Sequence, residues 1–350
     1  MAAGPPAAAE LRRPPPAEAV ARLRRDVESL TGEAPSNAHR LGLAVSGGGD
    51  SMALLLLAHA AFPGGVTVAT VDHGLRAEAA CEAALVASLC AALGVPHVVL
   101  GPPGDRIGSA GVQEQARALR YRMLGAWAAD TQAPWVATAH QRDDVAESFL
   151  LRARRGSGVG GLAAMPRMRR ITGGDRQSPL LIRPLLGWSR AELEGIVACA
   201  GAPSVADPSN IDPAYDRSRI RALLAATPEL TPGRLARAAE NLRHAEDALQ
   251  WLLDRELPQR FAAESEPGPG GPAAILDVAN LPYELRRRLV HRAIDHVRHE
   301  NGRGGPWHEQ GLDRLTESLG RGEPGTLADV LARPEGDRWR FTLAPPRRSH

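Results

Sequence analysis

Apolar and polar residues follow two alternating patterns along this chain from residue 41 onward. Short apolar runs, typical of strands buried on both faces, alternate with longer segments in which apolar residues recur at helical spacing. The runs are 41–45, 66–71, 96–100, 134–139 and 180–186, and the helical segments are 51–61, 77–93, 112–129, 143–154 and 189–200. This alternation predicts an α/β fold with a doubly wound parallel sheet that binds ligands at the carboxyl ends of its strands.

The pattern changes near residues 227–233, which are rich in Pro, Thr and Gly. Helical patterns over 235–261 and 282–300 follow, separated by the breaker-rich stretch 264–272, and a short strand-like run covers 339–343. We therefore predict a flexible tail over 1–38 from its Ala, Pro and Arg content, a mononucleotide-binding domain over 39–225, and a second, mostly helical domain with little strand over 226–350.

The composition limits where this protein acts. The longest apolar run, 52–62, is well short of the roughly 20 residues that span a bilayer, and the N-terminal residues lack the apolar centre of a secretion signal. The three cysteines are odd in number and show no Cys-x-x-Cys spacing, which argues against a zinc or iron–sulfur site. We expect a cytoplasmic protein with no membrane segment and with reduced thiols.

All 42 Lys and Arg residues are arginine, and the net charge is +2. A catalytic lysine is therefore excluded, while arginine suits phosphate because its planar group donates two parallel hydrogen bonds. A coding bias toward arginine explains the same fact. Arginines are dense over 152–170 and 286–298, and we expect salt-sensitive nucleic-acid binding there, although a solvated helix face is the simpler alternative.

The motif Ser-Gly-Gly-Gly-Asp-Ser at 46–51 lies between the first predicted strand and the following helix. Glycines let backbone amides approach an anion, and the helix start adds its positive dipole end, so a phosphate should bind there. The Gly-x-x-x-x-Gly-Lys loop of other nucleotide-binding proteins is absent. The motif is instead that of PP-loop enzymes, which cleave ATP between its α and β phosphates. Asp50 could alternatively only cap the helix.

Further segments strengthen a resemblance to one family. They lie at 71–76, 113–121, 138–147, 155–162, 183–186 and 207–221. In this order and at these spacings they resemble the tRNA(Ile)-lysidine synthetases, which have a PP-loop domain of the adenine nucleotide α-hydrolase-like fold. The resemblance covers residues 41–225. One departure is Gln141, where that family usually has a second histidine after His140.

The resemblance implies a reaction and a set of site residues. Lysine is joined to carbon 2 of the first anticodon cytidine of tRNA(Ile) with a CAU anticodon, after ATP adenylates that cytidine and releases pyrophosphate. ATP and Mg²⁺ are the implied cofactors, tRNA(Ile) and L-lysine the partners, and a homodimer a candidate assembly. The implied residues are Ser46, Gly47, Gly48, Gly49, Asp50 and Ser51 for ATP; Asp50 and Asp144 for metal; Asp50, His140 and Asp144 for catalysis; Asp144, Glu147 and Arg217 for lysine; and Arg117, Arg120, Arg155 and Arg221 for tRNA.

Other interpretations remain open at the level of sequence. Asp143, Asp144 and Glu147 are also the residues expected in a solvated first helical turn, and a histidine at a strand end is often only structural. Another PP-loop tRNA-modifying enzyme, such as a cytidine thiolase, is the nearest functional alternative. A small-molecule amidotransferase or a regulatory nucleotide-binding protein without turnover are the others.

Overall fold

The computed structural model describes residues 12–72, 78–101, 112–171, 178–205, 216–264, 271–305 and 307–345. The chain divides into two compact units, Met1–Arg243 and His244–His350. The division falls inside a long helix and not at the predicted boundary after residue 225. Within the described ranges, no helix is long and apolar enough to cross a membrane.

The first unit contains the predicted sheet. Its strands are β1 (Leu41–Ala44), β2 (Val66–Val71), β3 (His97–Leu100), β4 (Trp135–Ala137), β5 (Met168–Arg170) and β6 (Leu180–Ile182). They lie in the order β3-β2-β1-β4-β6-β5, and all neighbours are parallel except β5 and β6. Because β1 pairs with β2 on one side and β4 on the other, its carboxyl end lies where the strand order reverses, which is the ligand-binding position of such sheets.

Helices connect these strands and confirm the predicted α/β class. They are α1 (Ala17–Thr31), α2 (Gly49–Ala61), α3 (Glu78–Leu93), α4 (Val112–Asp130), α5 (Arg142–Arg154), α6 (Val159–Leu162), α7 (Arg190–Ala200), α8 (Asp216–Ala226) and the first part of α9 (Pro232–Arg260). Helix α2 is apolar on every side, and its residues from Met52 to Ala58 are all buried. A helix that is apolar all round belongs in a core, so the PP-loop motif leads directly into the most buried helix of the unit.

The predicted flexible tail is wrong for residues 17–31. Helix α1 places Leu23 and Val27 in the main core cluster, both fully buried. Asp26 Oδ2 accepts a hydrogen bond from Trp188 Nε1 at 2.9 Å, and the Arg22 guanidinium lies 4.1 Å from the Trp188 ring centroid. The Ala- and Arg-rich composition suggested disorder, but the helical spacing of a few apolar residues decides the structure.

The second unit combines helices with an antiparallel sheet. The end of α9 is followed by α10 (Tyr283–Glu300) and α11 (Leu312–Gly320). The strands are β7 (Phe261–Glu264), β8 (Ala273–Asp277), β9 (Gly325–Leu327), β10 (Val330–Glu335) and β11 (Arg338–Leu343), in the order β7-β8-β11-β10-β9. The predicted helices are present, but the expectation of little strand was wrong. Short strands rich in Ala, Gly and Arg carry weak β propensity, and of these strands only β11 was predicted.

Candidate active site

The loop between β1 and α2 has the geometry of an anion-binding turn. Gly47 has a φ of +87°, which favours glycine, and Gly48 is the N-cap of α2. The Ser51 hydroxyl donates to the Gly48 carbonyl at 2.8 Å and accepts from the Ser46 amide at 3.2 Å. Ser51 therefore holds the loop closed on itself. The amides that follow Gly48 begin the helix, where intrahelical acceptors are lacking, so they are available to phosphate oxygens.

Two carboxylates, Asp50 and Asp144, lie within electrostatic range of each other beside this loop. Burial, and next the charge of Asp144, raise the pKa of Asp50 to about 6, although Arg190 opposes them. Burial also raises the pKa of Asp144, and Glu147 contributes in the same direction. Carboxylates raise one another's pKa when no cation separates them. Their oxygens are hard ligands of the kind that Mg²⁺ prefers, so the pair suits a divalent cation.

Gln141 organises the start of α5. Its side chain is fully buried, and its Oε1 accepts from the Asp143 amide at 2.6 Å. Its own amide donates to Asp144 Oδ2 at 3.1 Å, which closes a reciprocal cap and fixes that carboxylate. The side chain also lies beside Asp50 and lowers the pKa of that carboxyl, while Nε2 has no hydrogen-bond partner within the described part of the chain. The residue that departs from the family pattern is thus a structural element of the site.

Glu147 is bound by two arginines. Its side chain is 1% exposed, and its Oε1 accepts from Arg190 at 3.0 Å and from Arg221 Nε at 2.6 Å. Arg221 also reaches Oε2, at 3.3 Å. A lysine ammonium at Asp144 and Glu147, two of the residues implied for lysine, would therefore compete with two guanidinium groups for Glu147. No sequence motif pointed to Arg190, because an arginine in a first helical turn carries no distinctive signal.

His140 is neutral at physiological pH in this structure. Burial, followed by Arg183 and Arg117, lowers its pKa to about 3, and the Thr138 hydroxyl lies 2.9 Å from its Nδ1. This pKa lies well below the ordinary histidine value of 6.5, because the imidazole is shielded from solvent and surrounded by cations. A neutral imidazole can accept or donate one hydrogen bond, but it holds no spare proton to give as an acid.

The remaining predicted arginines separate into two groups. One group lies close enough to His140 to lower its pKa, and it consists of Arg117, Arg120 and Arg217. Arg217 also lowers the pKa of Asp144. Arg155 lies elsewhere and binds Asp216 at 3.0 Å, together with Arg154. Two motif segments, 73–76 with His73 and 207–210 with the following Tyr215, lie outside the described residues.

The comparisons agree with this geometry in two steps. The PP-loop domain family matches residues 20–227, which places the first unit among the PP-loop proteins. The tRNA(Ile)-lysidine synthase of Zymomonas mobilis subsp. mobilis is 42% identical over 88% of this chain and 90% of its own length. That of Novosphingobium aromaticivorans is 40% identical over 95% of both chains. The chain belongs to the tRNA(Ile)-lysidine synthase family.

Solved structures support the fold. The U34-tRNA thiolase NcsA from Methanococcus maripaludis superposes with a TM-score of 0.51, over 65% of this chain and 80% of that one. Its sequence identity is 17%, so the similarity concerns the fold and not the reaction.

Proposed function

We propose that this protein ligates lysine to carbon 2 of the first anticodon cytidine of tRNA(Ile) bearing a CAU anticodon, with ATP as the activating substrate. Membership in the tRNA(Ile)-lysidine synthase family supports this substrate pair. The observation that carries the proposal is the pair of half-buried acids, Asp50 and Asp144, beside the open start of α2. This arrangement joins a phosphate site to a cation site, which is what the first chemical step requires.

The first step activates the cytidine. The carbonyl oxygen at carbon 2 attacks the α-phosphorus of ATP, and the bond to the β-phosphate oxygen breaks, so pyrophosphate leaves. The amides from Gly47 to Ser51 hold the outer phosphates and stabilise the charge on the leaving group. Asp50 and Asp144 would hold Mg²⁺, which would neutralise phosphate charge. Ser51, through its bonds to Ser46 and Gly48, keeps the amides in place.

The second step joins the amine. The lysine ε-amine attacks carbon 2, the bond to the adenylated oxygen breaks, and AMP departs. The amine must first lose a proton, and a carboxylate of raised pKa accepts it more readily than a histidine with a pKa of about 3. We therefore assign that proton to Asp144, which can accept it only when its carboxylate does not hold the cation, and a hydrogen-bonding role to neutral His140. Arg217 pairs with the lysine carboxylate. Glu147 keeps Arg190 and Arg221 beside the acids.

The tRNA contacts divide according to the partners of the arginines. Arg117 and Arg120 are exposed near His140 and would bind the anticodon backbone. Arg155 and Arg221 already bind Asp216 and Glu147, so they would contribute less to tRNA affinity. The homodimer remains a prediction. Sedimentation of the full chain would measure its oligomeric state.

The test is direct ligation. The protein is incubated with ATP, labelled lysine and tRNA(Ile) bearing a CAU anticodon, with elongator tRNA(Met) as the control RNA. We expect lysine in tRNA(Ile) alone, with one pyrophosphate released for each lysine joined, and loss of both signals in Asp144→Asn. Pyrophosphate release with no lysine in either RNA would reject lysine as the amine, and transfer to tRNA(Met) would reject the proposed RNA.

A further inference from the structure

Most arginine clusters in the described part of this chain are neutralised by carboxylates. Asp216 binds Arg154, Arg155 and Arg219, and Glu147 binds Arg190 and Arg221. On α10, Arg288 contacts Glu246 at 2.7 Å and Glu284 at 2.7 Å. These charges are satisfied within the protein.

One cluster, around Tyr121, is built differently. Tyr121 is 8% exposed, and two guanidinium groups lie near its ring, with Arg169 at 4.4 Å and Arg117 at 5.2 Å from the ring centroid. Arg183 completes the set, and both it and Arg169 interact with the phenol oxygen. We call Arg117, Tyr121, Arg169 and Arg183 the Tyr121 cluster.

Arg183 is a buried cation of this cluster with no carboxylate among the strongest influences on its pKa. Its side chain is 2% exposed, one terminal amine donates to the Pro166 carbonyl at 2.6 Å, and its Nε has no hydrogen-bond partner within the described ranges. The strongest influences on its pKa are burial, Tyr121, Arg169 and Arg117, and none of them is a carboxylate. A buried guanidinium with an unused donor is costly unless an anion approaches it.

The Tyr121 cluster borders the candidate active site. Arg117 and Arg183 both lower the pKa of His140. Arg217 lowers the pKa of both His140 and Asp144. Arg117 is exposed, so the cluster has a side open to solvent, while Tyr121 and Arg183 are buried behind it. An anion bound by the Tyr121 cluster would therefore lie next to a target nucleotide bound at His140.

We propose that the Tyr121 cluster binds a phosphodiester of the RNA substrate directly adjacent to the target nucleotide. This inference rests on the proposed function for the identity of the RNA. A phosphate group has the right chemistry, because its oxygens accept parallel hydrogen bonds from several guanidinium groups at once. ATP carries the same group, but the start of α2 already provides for its outer phosphates. Arg169 and Arg183 are then positioning residues that hold the backbone while the base reacts.

The test uses the full chain and an RNA hairpin with the CAU anticodon loop. Arg169→Gln is the main variant, Arg117→Gln is a second one at an exposed position, and Arg122→Gln on α4 is the control with the same loss of charge. We expect about tenfold weaker RNA binding for Arg169→Gln and Arg117→Gln, a salt slope smaller by about one unit, and unchanged ATP affinity. Arg122→Gln should bind RNA as the wild type does.

A neutral methylphosphonate at each phosphodiester flanking the target cytidine identifies the contact. One replacement should weaken wild-type binding about as much as Arg169→Gln does, and should weaken that variant little further. Reduced ATP affinity with unchanged RNA affinity would overturn the proposal in favour of a nucleotide phosphate. Unchanged affinity for both, or a control that falls equally, would also overturn it.

The two proposals fail separately. If the wild type forms no lysidine but Arg169→Gln still weakens RNA binding, the ligation is rejected and the phosphate site stands. If the wild type forms lysidine while Arg169→Gln and Arg117→Gln bind RNA normally, the phosphate site is rejected and the ligation stands.

Discussion

Three carboxylates at the candidate active site differ in their partners. Glu147 is compensated by Arg190 and Arg221, and Asp144 is partly compensated by the amide of Gln141 and by Arg190, which lies 3.9 Å away. Asp50 has the Gln141 side chain beside it and a pKa raised to about 6. Ionisation of Asp50 and Asp144 is thus unfavourable in this site. A divalent cation or an ammonium bound there would favour it.

The negative charge at Asp50 predicts how the stability of the Asp50→Asn variant depends on pH. The folded-state pKa of Asp50, about 6, lies above its ordinary value of 3.8, so ionisation of Asp50 destabilises the folded state. The penalty is absent below about pH 4 and complete above about pH 6. Asp50→Asn should therefore raise the free energy of unfolding at about pH 7.5, by at most about 3 kcal/mol, and change it little at about pH 4. The same variant should lose pyrophosphate release.

Denaturant unfolding at both pH values, with a chelator present, measures this difference. Asp130→Asn, at an exposed position at the end of α4, is the control for removing a carboxylate away from the candidate active site. An Asp50→Asn protein that is less stable than the wild type at about pH 7.5 would contradict the prediction.

At the scale of elements, α1 joins the core of the first unit through a narrow apolar face. Leu23 and Val27 are fully buried, whereas Arg25 on the opposite side is exposed. The Trp188 indole, which donates to Asp26, ties α1 to the residues that begin α7. The N-terminal helix therefore supports the same region that carries Arg190.

Leu23→Ala should lower the free energy of unfolding by about 3 kcal/mol, because it opens a cavity in a closed core. Arg25→Ala should change it by less than about 0.5 kcal/mol. Thermal or urea denaturation checks both. Equal effects of the two variants would mean that α1 contributes no core packing.

Helix α10 carries arginines whose role the sequence left open. Arg288 is 11% exposed and bound to Glu246, which is 15% exposed, so this pair is nearly buried. Arg287 contacts Glu284 at 3.0 Å. These ion pairs favour a structural role for this part of the 286–298 segment over RNA binding.

Arg288→Ala should therefore lower the stability of the second unit by about 2–3 kcal/mol, since it removes the nearly buried ion pair with Glu246. It should change RNA affinity less than twofold, roughly the effect of one screened charge. Arg292→Ala is the matched control, because its contact with Asp254 is exposed and worth less than about 1 kcal/mol. A large loss of RNA affinity in a stably folded Arg288→Ala protein would return this helix to the RNA-binding surface.

At the scale of the whole molecule, each unit has its own core. The first core surrounds α2 and the parallel sheet, and the second is formed by α10, α11 and the antiparallel sheet, with Leu289 and Phe341 fully buried. Units with separate cores can lose stability separately.

Leu289→Ala should thus weaken the second unit by about 3 kcal/mol while ATP affinity, a property of the first unit, stays unchanged. Calorimetric unfolding and ATP titration of the same protein measure the two effects. A parallel fall in ATP affinity would show that the units are energetically coupled.

Sequence patterns predicted the five parallel strands of the first sheet and the PP-loop, because both depend on local order, but they did not predict the antiparallel β5. A buried parallel strand needs a continuous apolar run, and an anion-binding turn needs glycines next to a helix start, so 41–45 and 46–51 were recognisable alone. Helix α1 and the second sheet were missed for the opposite reason. Their residues have weak propensities, and packing against distant segments stabilises them.

The sequence by itself determined the class of fold, the PP-loop motif and the acids predicted to lie near it, because each is encoded by neighbouring residues. Only the tertiary structure decided how those side chains are charged and paired. It bound Glu147 to two arginines, lowered the pKa of His140 through burial and nearby cations, and left Arg183 Nε without a hydrogen-bond partner among the residues that the structure describes. Burial and long-range charge arise from segments far apart in the chain, so no local pattern contains them.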